Sequence, residues 1–384
     1  MAEKGKKRCA VCGKASPYVA DVLGVCASCI RERPKESLSM IERAHAFSRE
    51  QLGLPVKPPN AVGGVECGRC SNSCSVGVGE RGYCGLWRND RGIKSIPSEE
   101  DGLLYAYLDP HVTNCCSAWF CPGGTGAGYP RFAHRDGPEV GYSNLSVFLY
   151  VCNFDCLFCQ NPSHKRIDEG EVVSARRLVD RIVEDPKISC VCFFGGSPEP
   201  QLPFTIETAE LAIEESASRP MRICYEWNGC GNLALVRRAA ELSLVSGGNV
   251  KFDLKCFTPE LSLALNGVRN ERAYRNFEIV AKELYPQRQG LPMLTATTLL
   301  VPSYVDVVEV QAIAEFIASL DPSIPYSLLV FHPAHLMRDL PVTPLQQVVE
   351  CFRASRRHLE NVNVGNLGLL GIGGMPQLLS MAGD

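Results

Sequence analysis

No stretch of the 384 residues approaches the ~18 consecutive apolar positions that a membrane-crossing helix needs. A helical membrane protein is therefore not expected. The basic start, Met-Ala-Glu-Lys-Gly-Lys-Lys-Arg, runs into Cys9 and Cys12 rather than an apolar core, so it does not read as a secretory signal. Neither sign of charge dominates: 39 Lys and Arg against 42 Asp and Glu leave a formal net charge of −3. The chain thus lacks the strongly basic balance of a general nucleic-acid or anionic-membrane binder. These absences lead us to expect a cytoplasmic protein with neither nucleic acid nor membrane as a partner.

What the chain does have is cysteine. It carries twenty, of which fourteen fall in groups before residue 160. In a reducing cytoplasm disulfides are rare, and grouped thiols more often mean metal. The length is ample for one large domain preceded by smaller modules.

The run Val151-Cys-Asn-Phe-Asp-Cys-Leu-Phe-Cys-Gln160 places Cys152, Cys156 and Cys159 at the spacing C-x3-C-x2-C. Iron–sulfur cubanes are normally held by four Cys. A three-Cys loop leaves one iron free to take a substrate or cofactor, which turns an electron carrier into a catalyst. Free Cys is often simply buried, but three at this spacing, directly after the apolar run 147–151, argue for a catalytic cluster.

Three further groups precede it. Cys9, Cys12, Cys26 and Cys29 form two C-x2-C knuckles that read as a tetrahedral ribbon for zinc or a single iron. Four thiolates close the metal's shell, so this site is expected to be structural. Cys67, Cys70, Cys74 and Cys84 lie among dense glycines, and Cys115, Cys116 and Cys121 follow. Either set, or both contributing to one site, is a candidate for an auxiliary iron–sulfur cluster; a second zinc site in the first set is the alternative. Adjacent Cys115 and Cys116 are expected to diverge so that only one binds, leaving Cys116 and Cys121 as the candidates there.

The organisation follows from composition and period. Residues 1–33 are the four-Cys module. Residues 34–60 hold a helix at 34–50 and a Pro-rich linker, residues 61–144 are the second Cys-rich segment, and residues 145–384 form the main domain. Within it, apolar runs at 146–151, 189–194, 221–226, 249–254, 294–300 and 326–331 read as strands. They alternate with helical patterns at 174–184, 203–217, 232–244, 271–285, 306–319 and 344–359. Near-continuous apolar strands alternating with helices require a parallel sheet covered by helices, an α/β class. Six right-handed repeats give a partial (β/α)6 barrel, two short of closure. Active-site residues in such folds collect at the carboxyl ends of the strands. Five motifs fall at such ends: the cluster loop, Gly195-Gly196-Ser197, Glu226-Trp227-Asn228-Gly229, Asp253-Leu254-Lys255, and Phe331-His332-Pro333.

The Cys152–Cys159 spacing, with aromatic Phe158 before the last Cys, resembles the cluster loop of radical S-adenosylmethionine (SAM) enzymes. More narrowly, residues 145–335 resemble the pyruvate formate-lyase activating enzyme group and, within it, a branch of uncharacterised activase-like iron–sulfur proteins; with the front cysteine segment the resemblance covers roughly residues 61–335. The matches are Cys-Gln-Asn-Pro at 159–162, Phe-Asp-Leu-Lys at 252–255, Asn-Gly-Val-x-Asn at 266–270, Val-Pro-x-Tyr-Val-Asp at 301–306 and Phe-His-Pro-Ala at 331–334, with Gly-Glu-Arg-Gly-Tyr-Cys-Gly ending at 85 in front. The resemblance implies a [4Fe–4S] cluster on Cys152, Cys156 and Cys159 whose open iron takes SAM. One electron from a flavodoxin or ferredoxin then gives methionine and a 5′-deoxyadenosyl radical, which abstracts hydrogen from a protein glycine, a peptide or a small metabolite. It further implies that Gly195 and Gly196 meet the SAM amino group, Lys255 its carboxylate and His332 its ribose. Asp253 and Glu226, with Asn228 nearby, fall where some activases hold a monovalent cation. The family's acidic residue after the two glycines is Ser197 here, with Glu199 as a substitute. His45, His111, His134, His164, His335 and His358 are expected to be surface or packing residues. The rival is a non-catalytic iron–sulfur or zinc protein for electron transfer or scaffolding, which has no use for the motifs at the strand ends.

Overall fold

The structure is a computed structural model and describes residues 7–95 and 100–383. Its centre is a nine-stranded sheet. We number the strands along the chain: β1 (Asp101–Pro110), β2 (Ser143–Leu149), β3 (Glu171–Ser174), β4 (Ile188–Gly195), β5 (Arg222–Trp227), β6 (Val250–Asp253), β7 (Leu294–Leu300), β8 (Tyr326–Val330) and β9 (Val362–Gly365). Their order across the sheet is β9-β8-β7-β6-β5-β4-β2-β1-β3. From β2 to β9 every pairing is parallel. β1 pairs antiparallel with both β2 and β3. The two ends of the order are different strands that do not pair, so the sheet stays open.

All six expected strands are present within about three residues, as β2 and β4 to β8. Beyond these six, β9 adds a seventh parallel strand, and β1 and β3 extend the opposite edge. β9 (Val-Asn-Val-Gly) offers too short an apolar run to stand out. β1 lies in the segment whose cysteines had defined it as a metal module.

Helices alternate with the strands because apolar residues recur every three to four positions there. Along Val307–Leu320, Val310, Ile313, Ala314 and Ile317 are buried, and Asp306 caps the first turn by accepting from the amides of Val308 and Glu309. The helix Pro34–Glu50 is present as expected. One contiguous core joins the sheet interior to the four-Cys module through Val19, Leu23 and Ile30. Tyr304 fixes that docking: its hydroxyl accepts from the Ala20 amide (3.0 Å) and donates to the Val25 carbonyl (2.8 Å). Arg31 adds ion pairs to Asp306 and Glu309.

Candidate active site

β2 ends at Leu149, and two residues later Val151 takes φ 67°. A β-branched residue in the left-handed region is strained, and here it turns the chain sharply into the cysteine loop. The turn is held from two sides: the Val151 amide donates to the His164 carbonyl (2.9 Å), and its carbonyl accepts from the Ser197 amide (3.2 Å). The close approach explains the two glycines. A Cβ on Gly196 would lie 1.9 Å from the Val151 oxygen, and one on Gly195 2.8 Å from the Leu149 backbone. Only glycine lets the strand end of β4 lie against the root of the cysteine loop.

Cys152, Cys156 and Cys159 then line one cavity of about 220 Å³ together with Phe158, Gly195, Gly196, Ser197, Glu226, Asn228, Asp253 and Lys255. Strand ends far apart in sequence thus meet around three thiols. Asn228 knits two of them: its Nδ2 donates to Asn153 Oδ1 (2.6 Å) and to Ser197 Oγ (2.9 Å). Lys255 Nζ stands 3.2 Å from Asp253 Oδ2. Burial would lower the lysine's pKa, but Asp253 and the thiols of Cys156 and Cys152 raise it, so a fixed positive charge faces the cavity. Burial pushes Cys156 up to about 12. A metal centre is the partner that makes such a thiol a thiolate. The donor set therefore fits a cluster held by three thiolates, with Phe158 and Phe194 covering the cavity's apolar side.

Other expected residues sit differently. His332 faces a larger groove of about 810 Å³ that adjoins the cavity through Gln160, Glu226, Lys251, Leu299 and Leu329. Glu199 does not line the cavity; buried, it accepts from the Gly229 amide (2.7 Å). Burial raises its pKa to about 7. Glu226 and Asp253 are each taken up by a lysine: Glu226 Oε2 pairs with Lys251 Nζ at 2.6 Å, and Asp253 pairs with Lys255.

The cysteine groups separate clearly. The thiols of Cys9, Cys12, Cys26 and Cys29 gather within 4.8 Å of one another, with Cys12 and Cys26 3.9 Å apart. A tetrahedral zinc with Zn–S near 2.3 Å puts sulfurs about 3.8 Å apart, so this arrangement suits one ion. Among the described residues Cys67, Cys70, Cys74 and Cys84 do not gather that tightly. Their segment wraps the back of the cysteine loop: Asn72 donates to the Asn153 carbonyl (2.8 Å), and Cys84 and Cys152 border one small void. The expectation that Cys115 and Cys116 diverge is corrected. The pair sits in a turn closed by the Ala118 amide on the Cys115 carbonyl (3.0 Å), not in a strand, and both thiols fall within 4.8 Å of a Glu226 oxygen. Cys121 is not in that group. It lines a neighbouring chamber of about 250 Å³ with Cys190, Cys192 and Cys224.

Residues without a sequence signal complete the site. Asp155, inside the loop, is fully buried and binds Lys165, His45 and Ser48. His45 and Lys165 come from the helix Pro34–Glu50 and from just beyond the loop. His164, expected to be a surface or packing residue, is buried with Nε2 3.5 Å from Cys159 Sγ. Burial and neighbouring Lys165 lower its pKa to about 3, so it is neutral.

Residues 146–317 match the family model of the Radical SAM superfamily. This part of the chain is a radical SAM domain. It embraces the cysteine loop, the Gly195–Gly196 turn and Lys255. The chain is 24% identical over 321 residues, 79% of this chain and 81% of the relative, to an uncharacterized protein of Methanocaldococcus jannaschii. Among solved structures, the chain is similar to Streptococcus suis SuiB bound to precursor peptide SuiA. It is 15% identical with a TM-score of 0.40 over 58% of this chain and 48% of that one. The chain thus spans about half the length of that protein. A domain of pyruvate-formate lyase-activating enzyme from Bacteroides vulgatus is 18% identical with a TM-score of 0.34, over 46% of this chain and 98% of the domain. Among the described residues no helix is long and apolar enough to cross a membrane.

Proposed function

We propose that the chain is an activating-enzyme-like radical SAM enzyme that abstracts hydrogen from a substrate lying in the 810 Å³ groove. One observation carries this reading: the three thiols of the loop share a single cavity with Gly195, Gly196, Asn228 and Lys255. When bound, a [4Fe–4S] cluster on Cys152, Cys156 and Cys159 supplies the electron that cleaves SAM to methionine and a 5′-deoxyadenosyl radical. The protein's share is binding, orientation and exclusion of water. The Lys255 ammonium complements a carboxylate, and the exposed backbone at Gly195 and Gly196 receives the amino acid end of the cofactor. Phe158, Phe194 and Trp227 keep the cavity's walls apolar. His332 and Gln160 border the groove in which the substrate would lie. The groove's breadth favours a peptide or a loop of a protein over a very small metabolite, in keeping with the activase resemblance. Flavodoxin or ferredoxin would deliver the electron. The wrapping of residues 67–84 behind the cysteine loop supports an auxiliary cluster there as a relay.

The test is product formation. Protein purified without oxygen, reconstituted with iron and sulfide and reduced with dithionite should convert SAM to 5′-deoxyadenosine, and Cys156→Ala should not. No 5′-deoxyadenosine from a fully reconstituted sample would reject the reading.

A further inference from the structure

We propose that Cys115, Cys116 and Glu226 form a second, separate metal site that takes one thiophilic divalent cation of zinc's class, with a coordination position open toward the substrate groove. The three ligand atoms already lie within 4.8 Å of one another. Cys115 Sγ donates to Glu226 Oε1 at 3.2 Å, and Cys116 Sγ lies 3.4 Å from Thr297 Oγ1. The turn carrying the two cysteines is pinned over the sheet. Ser327 Oγ donates to the Cys116 carbonyl (2.9 Å), as does Trp119 Nε1 (3.0 Å), and the Ser117 amide points at Cys115 Sγ (3.4 Å). The ligands are therefore held by packing and hydrogen bonds before any ion arrives.

Charge supports the same assignment. Two thiolates and one carboxylate carry three negative charges. Lys251, 2.6 Å from the other oxygen of Glu226, supplies one positive charge. A divalent cation brings the total to zero, and its binding releases the two thiol protons to solvent. An alkali ion would leave the site negative, and it prefers oxygen ligands, whereas two sulfurs select a softer metal.

Position supplies the function. Glu226 borders the cavity of the cysteine loop, the chamber behind it and the substrate groove alike, and Cys115 borders the last two. Three protein ligands leave a fourth position, the arrangement of catalytic rather than structural zinc. That position would take an electron-pair donor on the substrate, such as a carboxylate, thiolate or amide oxygen, and hold it beside the cofactor cavity. The Cys9–Cys29 site, with four thiols and no open position, offers nothing comparable. The metal site itself stands apart from the radical reading, because metal content is measured without SAM or cluster.

The experiment uses the full chain, purified without oxygen under reducing conditions, with zinc counted per chain by mass spectrometry and cobalt(II) titrated in as a spectroscopic probe. Wild type should hold one zinc more than the double variant Cys115→Ser/Cys116→Ser, and Cys29→Ser should lose a different one. Glu226→Ala should weaken the second cobalt site about tenfold or more while the first stays intact; it serves as the test if the double variant loses both metals through misfolding. Equal zinc in wild type and the double variant would overturn the proposal, provided both keep the Cys29 site. So would iron with acid-labile sulfide at these cysteines, or a Cys115–Cys116 disulfide in protein alkylated at isolation.

Discussion

Asp155 sits between two of the cysteines that would hold the cluster, and its side chain is fully buried. Lys165 Nζ (2.5 Å), His45 Nδ1 (2.8 Å) and Ser48 Oγ (2.9 Å) converge on its carboxylate. Burial alone would raise its pKa, but His45, Lys165 and Arg49 hold it well below the usual carboxylate range. In Asp155→Ala the Lys165 ammonium keeps, among the described residues, Ser48 (3.3 Å) and His335 (3.2 Å). Burial lowers the pKa of His335 to about 4, so neither remaining partner is charged at neutral pH. Removing one member of a buried ion pair costs about 3–5 kcal/mol. Asp155→Asn keeps the shape and an acceptor and should cost less, about 1.5–3 kcal/mol. Urea titrations of iron-free protein followed by tryptophan fluorescence measure both. Because the folded pKa is depressed, the stabilisation is complete above about pH 4, the unfolded value. It declines as the pH falls from there, so the gap between wild type and Asp155→Ala should close in acid. The iron held after reconstitution should fall with it, since the clamp sets the loop between Cys152 and Cys156. An Asp155→Ala protein within about 0.5 kcal/mol of wild type, the range of ordinary surface substitutions, would refute this reasoning.

Other expectations follow from the same geometry. Glu139 is buried against Arg222 with contacts of 2.8 and 2.6 Å; burial opposes its ionisation, yet Arg222 lowers its pKa to about 2. Its contribution, about 3 kcal/mol, is present above pH ~4.5 and lost as the pH falls toward 2; in urea titrations at pH 7 and pH 3, the part of wild-type stability that Glu139→Gln lacks should shrink by more than half. Gly196→Ala places a methyl 1.9 Å from the Val151 oxygen and should lower stability by about 1–3 kcal/mol, with loss of iron from the loop; full iron loading would show that the approach is not needed. If Cys67, Cys70, Cys74 and Cys84 hold an auxiliary cluster, the Cys152/Cys156/Cys159→Ala triple variant should retain about four irons per chain, and a triple variant holding zinc alone would remove that cluster from the account.

The parallel core was legible because buried strands write themselves as apolar runs: Leu294–Leu300 stands where the run 294–300 put it. That these residues would be brought together was legible too: Cys152, Cys156, Cys159, Gly195, Gly196, Asn228, Asp253 and Lys255 lie at strand ends that a parallel sheet must gather, and they line one cavity. What the sequence hid are contacts between distant segments. His45 meets Asp155 across 110 positions of chain, and neither residue type announces a buried pair. The Gly195–Gly196 pair was read as making room for a ligand; what the packed backbone shows is room made for Val151. Cys115 and Cys116 depended on turn geometry, because neighbouring side chains diverge in a strand but need not in a turn.

The central claim is that three thiols hold a cluster with one iron open to SAM, and electron paramagnetic resonance of the reduced, reconstituted protein addresses it directly. Addition of SAM should shift the signal of the loop's cluster in wild type, and that SAM-sensitive signal should be missing from Cys156→Ala. A wild-type spectrum indifferent to SAM, with the loop's cluster fully reduced, would contradict the account.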